Sequence, residues 1–121
     1  MSLRIVRLRG PEIVARQDDL ARLRIAVFRD WPYLYDGSAE YERAYIRTYV
    51  ESPHAVLIAA FDGERVVGAS TALPMAQAMA ECRAPFEAAG YDIARIFYFG
   101  ESVLLRPYRG RGVGVRFFAE R

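Results

Sequence analysis

The sequence predicts an α/β fold, of the α+β kind with a mixed sheet. Short segments with an apolar residue at every second position alternate with longer segments of helical spacing, as in strands and helices that share one core. In the last quarter of the chain, an apolar strand leads through a glycine-rich turn directly into the start of a helix. These two patterns organise the whole sequence.

The composition sets the class of protein. The 121 residues predict one domain, 1–121, and 53% apolar residues are enough for a substantial core. No segment has the length of a membrane span and no signal peptide is present, so we expect a cytoplasmic protein without a membrane partner. One cysteine and one histidine cannot form a four-ligand zinc site, so we expect no metal. A net charge of +2 does not argue for nucleic acid as a partner.

The first half of the chain reads as a strand, two helices and a hairpin. Residues 3–8 have the period of a strand, and residues 18–28 have helical spacing, with a start as early as Pro11. Ser38 predicts an N-cap for a helix over Ala39–Glu51. Two apolar runs, 54–61 and 65–73, flank Asp62-Gly63 and predict a hairpin.

The second half holds a helical insertion and the long strand. Residues 75–89 have helical character, which Pro85 is expected to interrupt and Gly90 to end. An apolar strand over 97–105 follows, and then the glycine-rich turn.

The glycine-rich turn has the properties of an anion site. Gly110, Gly112 and Gly114 occupy alternate positions, which lets the backbone turn tightly and approach a ligand. The free N–H groups of the first helical turn then point at the ligand, with the positive end of the helix dipole behind them. We expect a phosphate or pyrophosphate there, and a side chain at Gly112 should block it without disturbing the fold.

Two common phosphate motifs do not fit this turn. The Walker A loop needs a lysine, and the chain has none. The dinucleotide fingerprint needs Gly-x-Gly-x-x-Gly, whereas the glycines here run Gly-x-Gly-x-Gly. Arg109, Gly112 and Gly114 form Arg-x-x-Gly-x-Gly after a strand, which resembles the acetyl-coenzyme A motif of the GNAT family, the Gcn5-related N-acetyltransferases. The alternative reading is a flexible basic turn or a short Arg-Gly patch that contacts RNA.

The resemblance implies a fold and a set of binding residues. The family's order of strand, two helices, two strands, strand and helix agrees with the predicted elements, with a helical insertion before the long strand. In this family the pantetheine arm of acetyl-coenzyme A lies along that strand, which implies Ser102, Val103 and Leu104 here. The pyrophosphate is bound at the turn and the helix start, which implies the following residues: Arg109, Gly110, Arg111, Gly112, Val113, Gly114 and Val115.

The family's order continues beyond the point that residue 121 reaches. Further strands and helices follow there, the first of which forms the second wall of the cofactor slot. A strand without that neighbour exposes an edge. We therefore expect either that 1–121 is the N-terminal portion of a longer domain, or that a partner subunit in a homodimer completes the sheet.

Glu101 is the candidate for proton transfer. It stands inside an apolar strand, where desolvation favours the protonated form of a carboxylate and so suits a general base that takes a proton from the amine. The alternative is a carboxylate near a strand bulge that pairs with one of the many arginines.

Aromatic residues predict the acceptor site. Trp31, Tyr33 and Tyr35 lie where the resemblance places the wall of the acceptor pocket, and aromatic rings suit an amine through cation–π contacts. Tyr41, Tyr45 and Tyr49 have helical spacing and are interpreted as core residues.

The sequence therefore predicts an N-acetyltransferase that moves an acetyl group from acetyl-coenzyme A to an amine of a small molecule, peptide or protein. Two alternatives remain open. One is a non-catalytic module of the same fold that senses acyl-coenzyme A or serves in dimerisation. The other is a phosphate- or RNA-binding domain that uses the Arg-Gly turn.

Overall fold

Four antiparallel strands form one sheet in which the strand order follows the chain order. The computed structural model describes residues 3–30, 33–34 and 36–120. The strands are β1 (Arg4–Leu8), β2 (Val56–Asp62), β3 (Arg65–Pro74) and β4 (Phe97–Leu104). The α/β class is confirmed. The three pairings within the described residues are all antiparallel, so this part of the chain does not contain the parallel pair of a mixed sheet.

Within the described residues, five helices and three 3₁₀ turns connect and cover the strands. The helices are α1 (Pro11–Ala15), α2 (Gln17–Arg29), α3 (Ala39–Glu51), α4 (Ala80–Ala88) and α5 (Val113–Glu120). The 3₁₀ turns are Met75–Gln77, Ile93–Arg95 and Arg106–Tyr108. No helix in the described part of the chain combines the length and the apolar character that crossing a membrane requires.

Local sequence signals fix several of these boundaries. The Ser38 side chain accepts a hydrogen bond of 3.1 Å from the Tyr41 backbone N–H, so the predicted N-cap of α3 is confirmed. The predicted hairpin is β2–β3, and Gly63 turns the chain with φ of +62°. The helix predicted over 18–28 extends to Gln17–Arg29 and is separated from α1 by Arg16.

The prediction for residues 75–89 is wrong about where the helix breaks. The chain leaves helical geometry after the 3₁₀ turn Met75–Gln77, and α4 then runs through Pro85. Pro85 removes one backbone hydrogen bond from α4. No residue of α4 is buried, so water can solvate the carbonyl left without a donor, and the helix tolerates the proline.

The sheet has a core on each face. On one face, α2 and α3 pack with Leu20, Ile46 and Tyr49 against β-strand residues that include Val103. On the other face, α5 packs Phe117 against β2 and β3 in a smaller core. The outer edge of β4 lies between these two layers and carries the site described next.

Candidate functional site

The turn between β4 and α5 has the backbone geometry of an anion cradle. After the 3₁₀ turn Arg106–Tyr108, Gly110 and Gly112 have φ values of +80° and +77°. Only glycine adopts such values without strain, so both glycines are required by the path of the chain. That path brings the chain into α5, which begins at Val113.

The first turn of α5 presents free backbone donors. The first helical hydrogen bond runs from the Arg116 N–H to the Gly112 carbonyl, at 3.2 Å. The N–H groups of Val113, Gly114 and Val115 precede this bond and have no acceptor within the helix. They point out of the helix N-terminus, where the dipole favours an anion.

Gly114 differs from the other two glycines of the loop. It lies inside α5, its φ is not positive, and a Cβ on it would meet no protein atom within 4 Å. The fold therefore does not require glycine there, although glycine costs a helix about 1 kcal/mol relative to alanine. The space over the backbone at Gly114 is therefore open at the helix N-terminus.

Side chains tie the cradle to the sheet. The Arg109 Nε donates to the Leu104 carbonyl at the end of β4, at 2.9 Å. The buried Tyr108 hydroxyl donates to the Asp62 carboxylate at 2.6 Å, and this hydrogen bond, with burial, raises the pKa of Tyr108. The Arg111 guanidinium carbon lies 5.7 Å from the Tyr108 ring centre. The loop is thus held on β4 and β2 by contacts that leave its glycines open.

The three predicted positions along β4 do not face the same way. The Leu105 N–H donates to the Val67 carbonyl of β3, at 2.9 Å. Because backbone groups alternate in direction along an antiparallel strand, those of Val103 also point to β3, and those of Ser102 and Leu104 point to the open edge. The Ser102 backbone and the Leu104 N–H therefore point to this edge without a partner in the sheet, whereas the Leu104 carbonyl accepts from Arg109 and the Val103 backbone is used by the sheet.

β4 contains a bulge at Gly100. The register with β3 shifts between Thr71 and Ala72, so Gly100 is an extra residue in β4. A Cβ on Gly100 would lie 2.6 Å from the Thr71 Oγ1 and would clash with the Tyr49 hydroxyl. Glycine is needed here because the α3 side chains approach the strand backbone closely.

Glu101, next to the bulge, belongs to a buried charged cluster. The Arg24 Nη1 pairs with its carboxylate, and the Arg24 Nε donates to the carboxylate of Glu42. The Glu101 side chain is 16% exposed, that of Arg24 is 11% exposed, and that of Glu42 is 0% exposed. We call Arg24, Glu42 and Glu101 the charged cluster. The geometry agrees with the ion-pair reading of Glu101, and its role as a base stays a prediction.

Aromatic rings surround the guanidinium of this cluster. The Arg24 guanidinium carbon lies 3.8 Å from the Tyr45 ring centre and 5.2 Å from that of Phe28. Burial lowers the pKa of Arg24, but the hydrogen bonds to Glu101 and Glu42 and the charge of Glu101 outweigh it and raise that pKa overall. Arg24 is therefore permanently charged and fixed in place.

Two tyrosines of α3 continue the polar layer beneath the bulge. The hydroxyls of Tyr45 and Tyr49 lie 3.2 Å apart and share a hydrogen bond. Burial raises the pKa of both tyrosines, and the negative charge of Glu101 raises them further. Both rings therefore stay neutral in the folded protein over the ordinary range of pH.

A cavity of about 400 Å³ opens to solvent beside the charged cluster. It is lined by Arg24, Phe28, Tyr33 and Tyr41. The interpretation of Tyr41 as a core residue is wrong, because Tyr41 is 44% exposed at this cavity. The Tyr33 ring packs edge-on against Phe28, with the ring centres 5.1 Å apart. This volume is in the usual range for small-molecule sites.

Comparison with known proteins identifies the architecture. No protein-family model matches the chain, and no curated protein matches it either. Among solved structures, 98% of the chain superposes on the aminoglycoside N-acetyltransferase AAC(6')-Iy in complex with coenzyme A, at a TM-score of 0.65 and 15% identity. The chain has the GNAT fold.

Two further GNAT structures cover the chain equally well. The ribosomal-protein-alanine N-acetyltransferase from Brucella melitensis biovar Abortus 2308 has a TM-score of 0.58 at 13% identity over 99% of the chain. The PaiA N-acetyltransferase from Thermoplasma acidophilum in complex with coenzyme A has a TM-score of 0.58 at 16% identity over 99% of the chain. The chain spans 66% of the first enzyme and 69% of each of these two.

The GNAT fold brings some of the predicted site residues together. The glycine loop, Ser102, Leu104 and Glu101 lie along one strand and the turn after it. Tyr33 lies at the aromatic cavity beside the cluster. Trp31 and Tyr35 lie outside the described residues. No group of three His, Cys, Asp or Glu side chains that could hold a metal ion occurs within residues 3–30, 33–34 and 36–120.

Sequence reasoning missed the partners of Glu101. Arg24 lies on the buried face of α2 with Leu20 and Leu23, and Glu42 lies in the first turn of α3 and is fully buried. A charged residue on an otherwise apolar helix face is a signal that could have identified Arg24. Nothing local in the sequence indicated that Glu42 is a buried partner of Arg24. Acidic residues are common in the first turn of a helix because they interact favourably with the helix dipole.

Proposed function

We propose that the protein binds acetyl-coenzyme A and transfers its acetyl group to a primary amine of a small molecule, peptide or protein. The observation that carries this proposal is Gly114, a helical glycine that the fold does not require, at a helix N-terminus with free donors. The similarity in fold to acetyltransferases, two of which hold coenzyme A, supports it.

In this proposal the cradle binds one part of the cofactor and the open edge of β4 binds another. The N–H groups of Val113, Gly114 and Val115 would donate to the pyrophosphate, through charge-assisted hydrogen bonds that need no side chain. The backbone of Ser102 and the Leu104 N–H would bind the pantetheine arm at the strand edge. Arg109 holds the loop on the end of β4 and so sets the distance between these two parts.

The reaction requires an amine that has lost its proton. The amine nitrogen then attacks the thioester carbonyl carbon, the carbon–sulfur bond breaks, and the departing thiolate takes up a proton. We propose Glu101 as the group that accepts the proton from the amine, because it is the member of the charged cluster that lies on β4 and is the most exposed of the three.

The aromatic cavity is the proposed site of the acceptor. Tyr33 is 66% exposed at its rim, where a ring can contact an incoming ammonium group through a cation–π interaction. Trp31 and Tyr35, two positions before and after Tyr33 in the sequence, stay predictions for the acceptor site.

Calorimetric titration with coenzyme A and release of free thiol in a panel of amines test the proposal. Gly114→Val should weaken coenzyme A binding at least tenfold, because its side chain occupies the space of the ligand, and Gly114→Ala should have a smaller effect. Ala119→Val, in the exposed part of the same helix, is the matched control and should bind normally. Unchanged affinity in Gly114→Val would contradict the assignment of the cradle. Binding without thiol release would favour the non-catalytic alternative.

A further inference from the structure

The charged cluster joins three elements that are distant in sequence. Arg24 comes from α2, Glu42 from α3 and Glu101 from β4. The guanidinium uses different nitrogen atoms for the two carboxylates, Nε for Glu42 and Nη1 for Glu101. Since a guanidinium is planar and its donors have fixed directions, one carboxylate sets the orientation in which it meets the other.

Stability does not explain the composition of this cluster. Burial of charged groups costs several kcal/mol per ion, and apolar side chains of the same volume are often as stable. One carboxylate is enough to neutralise Arg24, but two carboxylates pair with it. The second carboxylate, that of Glu42, is also the most deeply buried, so its desolvation is the largest.

The side chains of the charged cluster become more exposed from one end of the cluster to the other. Glu42 is closed to solvent at the inner end, and Glu101 lies at the outer end beside the bulge. Between them, Arg24 packs against Tyr45 and Phe28, which leaves its side chain little freedom. Restraint of Arg24 at the buried end therefore also restrains the Glu101 carboxylate, which is the most exposed of the three side chains.

We infer that Arg24 and Glu42 are positioning residues for the Glu101 carboxylate. Glu42 fixes the guanidinium of Arg24, and Arg24 holds Glu101 in one orientation beside the bulge at Gly100. The inference rests on the proposed function, since it gives Glu101 a place near the reacting amine. A positioned base acts only when it lies within hydrogen-bond reach of the proton it removes, so a loss of orientation lowers the rate even when the base is present.

A double-mutant cycle on turnover tests this inference. Glu42→Gln keeps the shape of the side chain and removes its charge; it should lower kcat about tenfold and leave KM for acetyl-coenzyme A within twofold. In a Glu101→Gln background, the same substitution should change kcat less than twofold, because no base remains to be positioned. An equal loss of kcat in both backgrounds would overturn the inference. Glu64→Gln, which removes an exposed carboxylate paired with Arg16, is the matched control and should not alter kcat.

Arg24→Lys is the second variant, because Glu42→Gln removes a buried charge and can prevent folding. It keeps the positive charge but loses the planar fork, so it should lower kcat at least tenfold, with KM for acetyl-coenzyme A unchanged. Wild-type kcat in a folded Arg24→Lys protein would overturn the inference.

A measurement without turnover separates this inference from the proposed function. The side-chain carboxyl ¹³C resonance of Glu101 should shift and broaden in Glu42→Gln, and it should be unaffected in Glu64→Gln. An unchanged Glu101 resonance in Glu42→Gln would refute positioning whatever the chain does with coenzyme A. Failure to bind coenzyme A, with the expected change in the resonance, would instead reject the proposed function alone.

Discussion

The Glu101 carboxylate pairs with the Arg24 guanidinium at the point where β4 bulges. This pair crosses from the sheet to α2, so it contributes to the packing of the helix as well as to the proposed site. Experiments on Glu101 must therefore separate stability from chemistry.

Glu101→Gln separates them by its effect on rate. If Glu101 accepts the proton of the amine, the substitution should lower kcat by about a hundredfold, the usual contribution of a positioned base. Affinity for coenzyme A, measured by calorimetry, should change less than twofold. A lower melting temperature with normal kcat for the folded fraction would leave Glu101 as an ion-pair partner only.

Gly112 and Gly114 should respond differently to alanine. Gly112 has φ of +77°, so Gly112→Ala should lower the free energy of unfolding by about 1–2 kcal/mol. Gly114→Ala should raise it by up to about 1 kcal/mol, since Gly114 is helical and its Cβ meets no protein atom. Chemical denaturation measures both. The expectation that a side chain at Gly112 leaves the fold undisturbed is thereby corrected, because the backbone strain was not visible in the sequence.

Gly100→Ala should destabilise the protein by about 1–3 kcal/mol, because its Cβ would clash with the Tyr49 hydroxyl. Removal of that hydroxyl in Tyr49→Phe should relieve part of the clash. The double variant should therefore lose less stability than the sum of the two single changes, as measured by denaturation. Strictly additive losses would show that the clash is relieved in another way.

The buried tyrosines predict a loss of stability at high pH. The pKa values of Tyr45 and Tyr49 are raised in the folded state, and burial is the largest cause. In the unfolded chain a tyrosine has a pKa of about 10. Above that pH the unfolded chain binds fewer protons than the folded one. The free energy of unfolding should therefore fall by about 1.4 kcal/mol per pH unit for each such tyrosine.

Phenylalanine variants test whether the buried tyrosines cause this loss of stability at high pH. Above about pH 10, the free energy of unfolding of Tyr45→Phe should fall less steeply with pH than that of the parent protein. The difference in slope should correspond to about one proton. Tyr91→Phe, at a residue that is exposed and packs edge-on against Phe86, is the control and should leave the slope unchanged. Equal slopes in Tyr45→Phe and the parent protein would contradict the assignment.

Much of the fold was predictable because its signals are local. Ser38 caps α3 through a contact three residues away, and Gly63 forms the hairpin turn between adjacent strands. The glycine loop was predictable for the same reason. The continuation of α4 through Pro85 was not, since it depends on the exposure of the helix, which a proline in the sequence does not reveal.

The candidate site was predictable only in part. Glu101 was identified on β4, but its contact with Arg24 joins residues far apart in the chain, and no periodicity encodes such a pair. The bulge at Gly100 had a weak signal, a single glycine inside an apolar strand. Its partner, the Tyr49 hydroxyl, was interpreted as core, which is correct for the ring and incomplete for the oxygen.

The chain-ordered sheet has a consequence for biosynthesis. Because β1, β2 and β3 neighbour one another and leave the ribosome first, they and the α2–α3 layer can assemble before β4 is complete. β4 and the glycine loop then pack onto a surface that has already formed. Glu101 is the last residue to join Arg24 and Glu42 in the charged cluster. A ligand that binds only the folded loop stabilises the folded state by mass action. The stabilisation is about 2.7 kcal/mol when the free ligand concentration is a hundred times its Kd. The abundance of the folded protein in a cell would then follow the supply of that ligand.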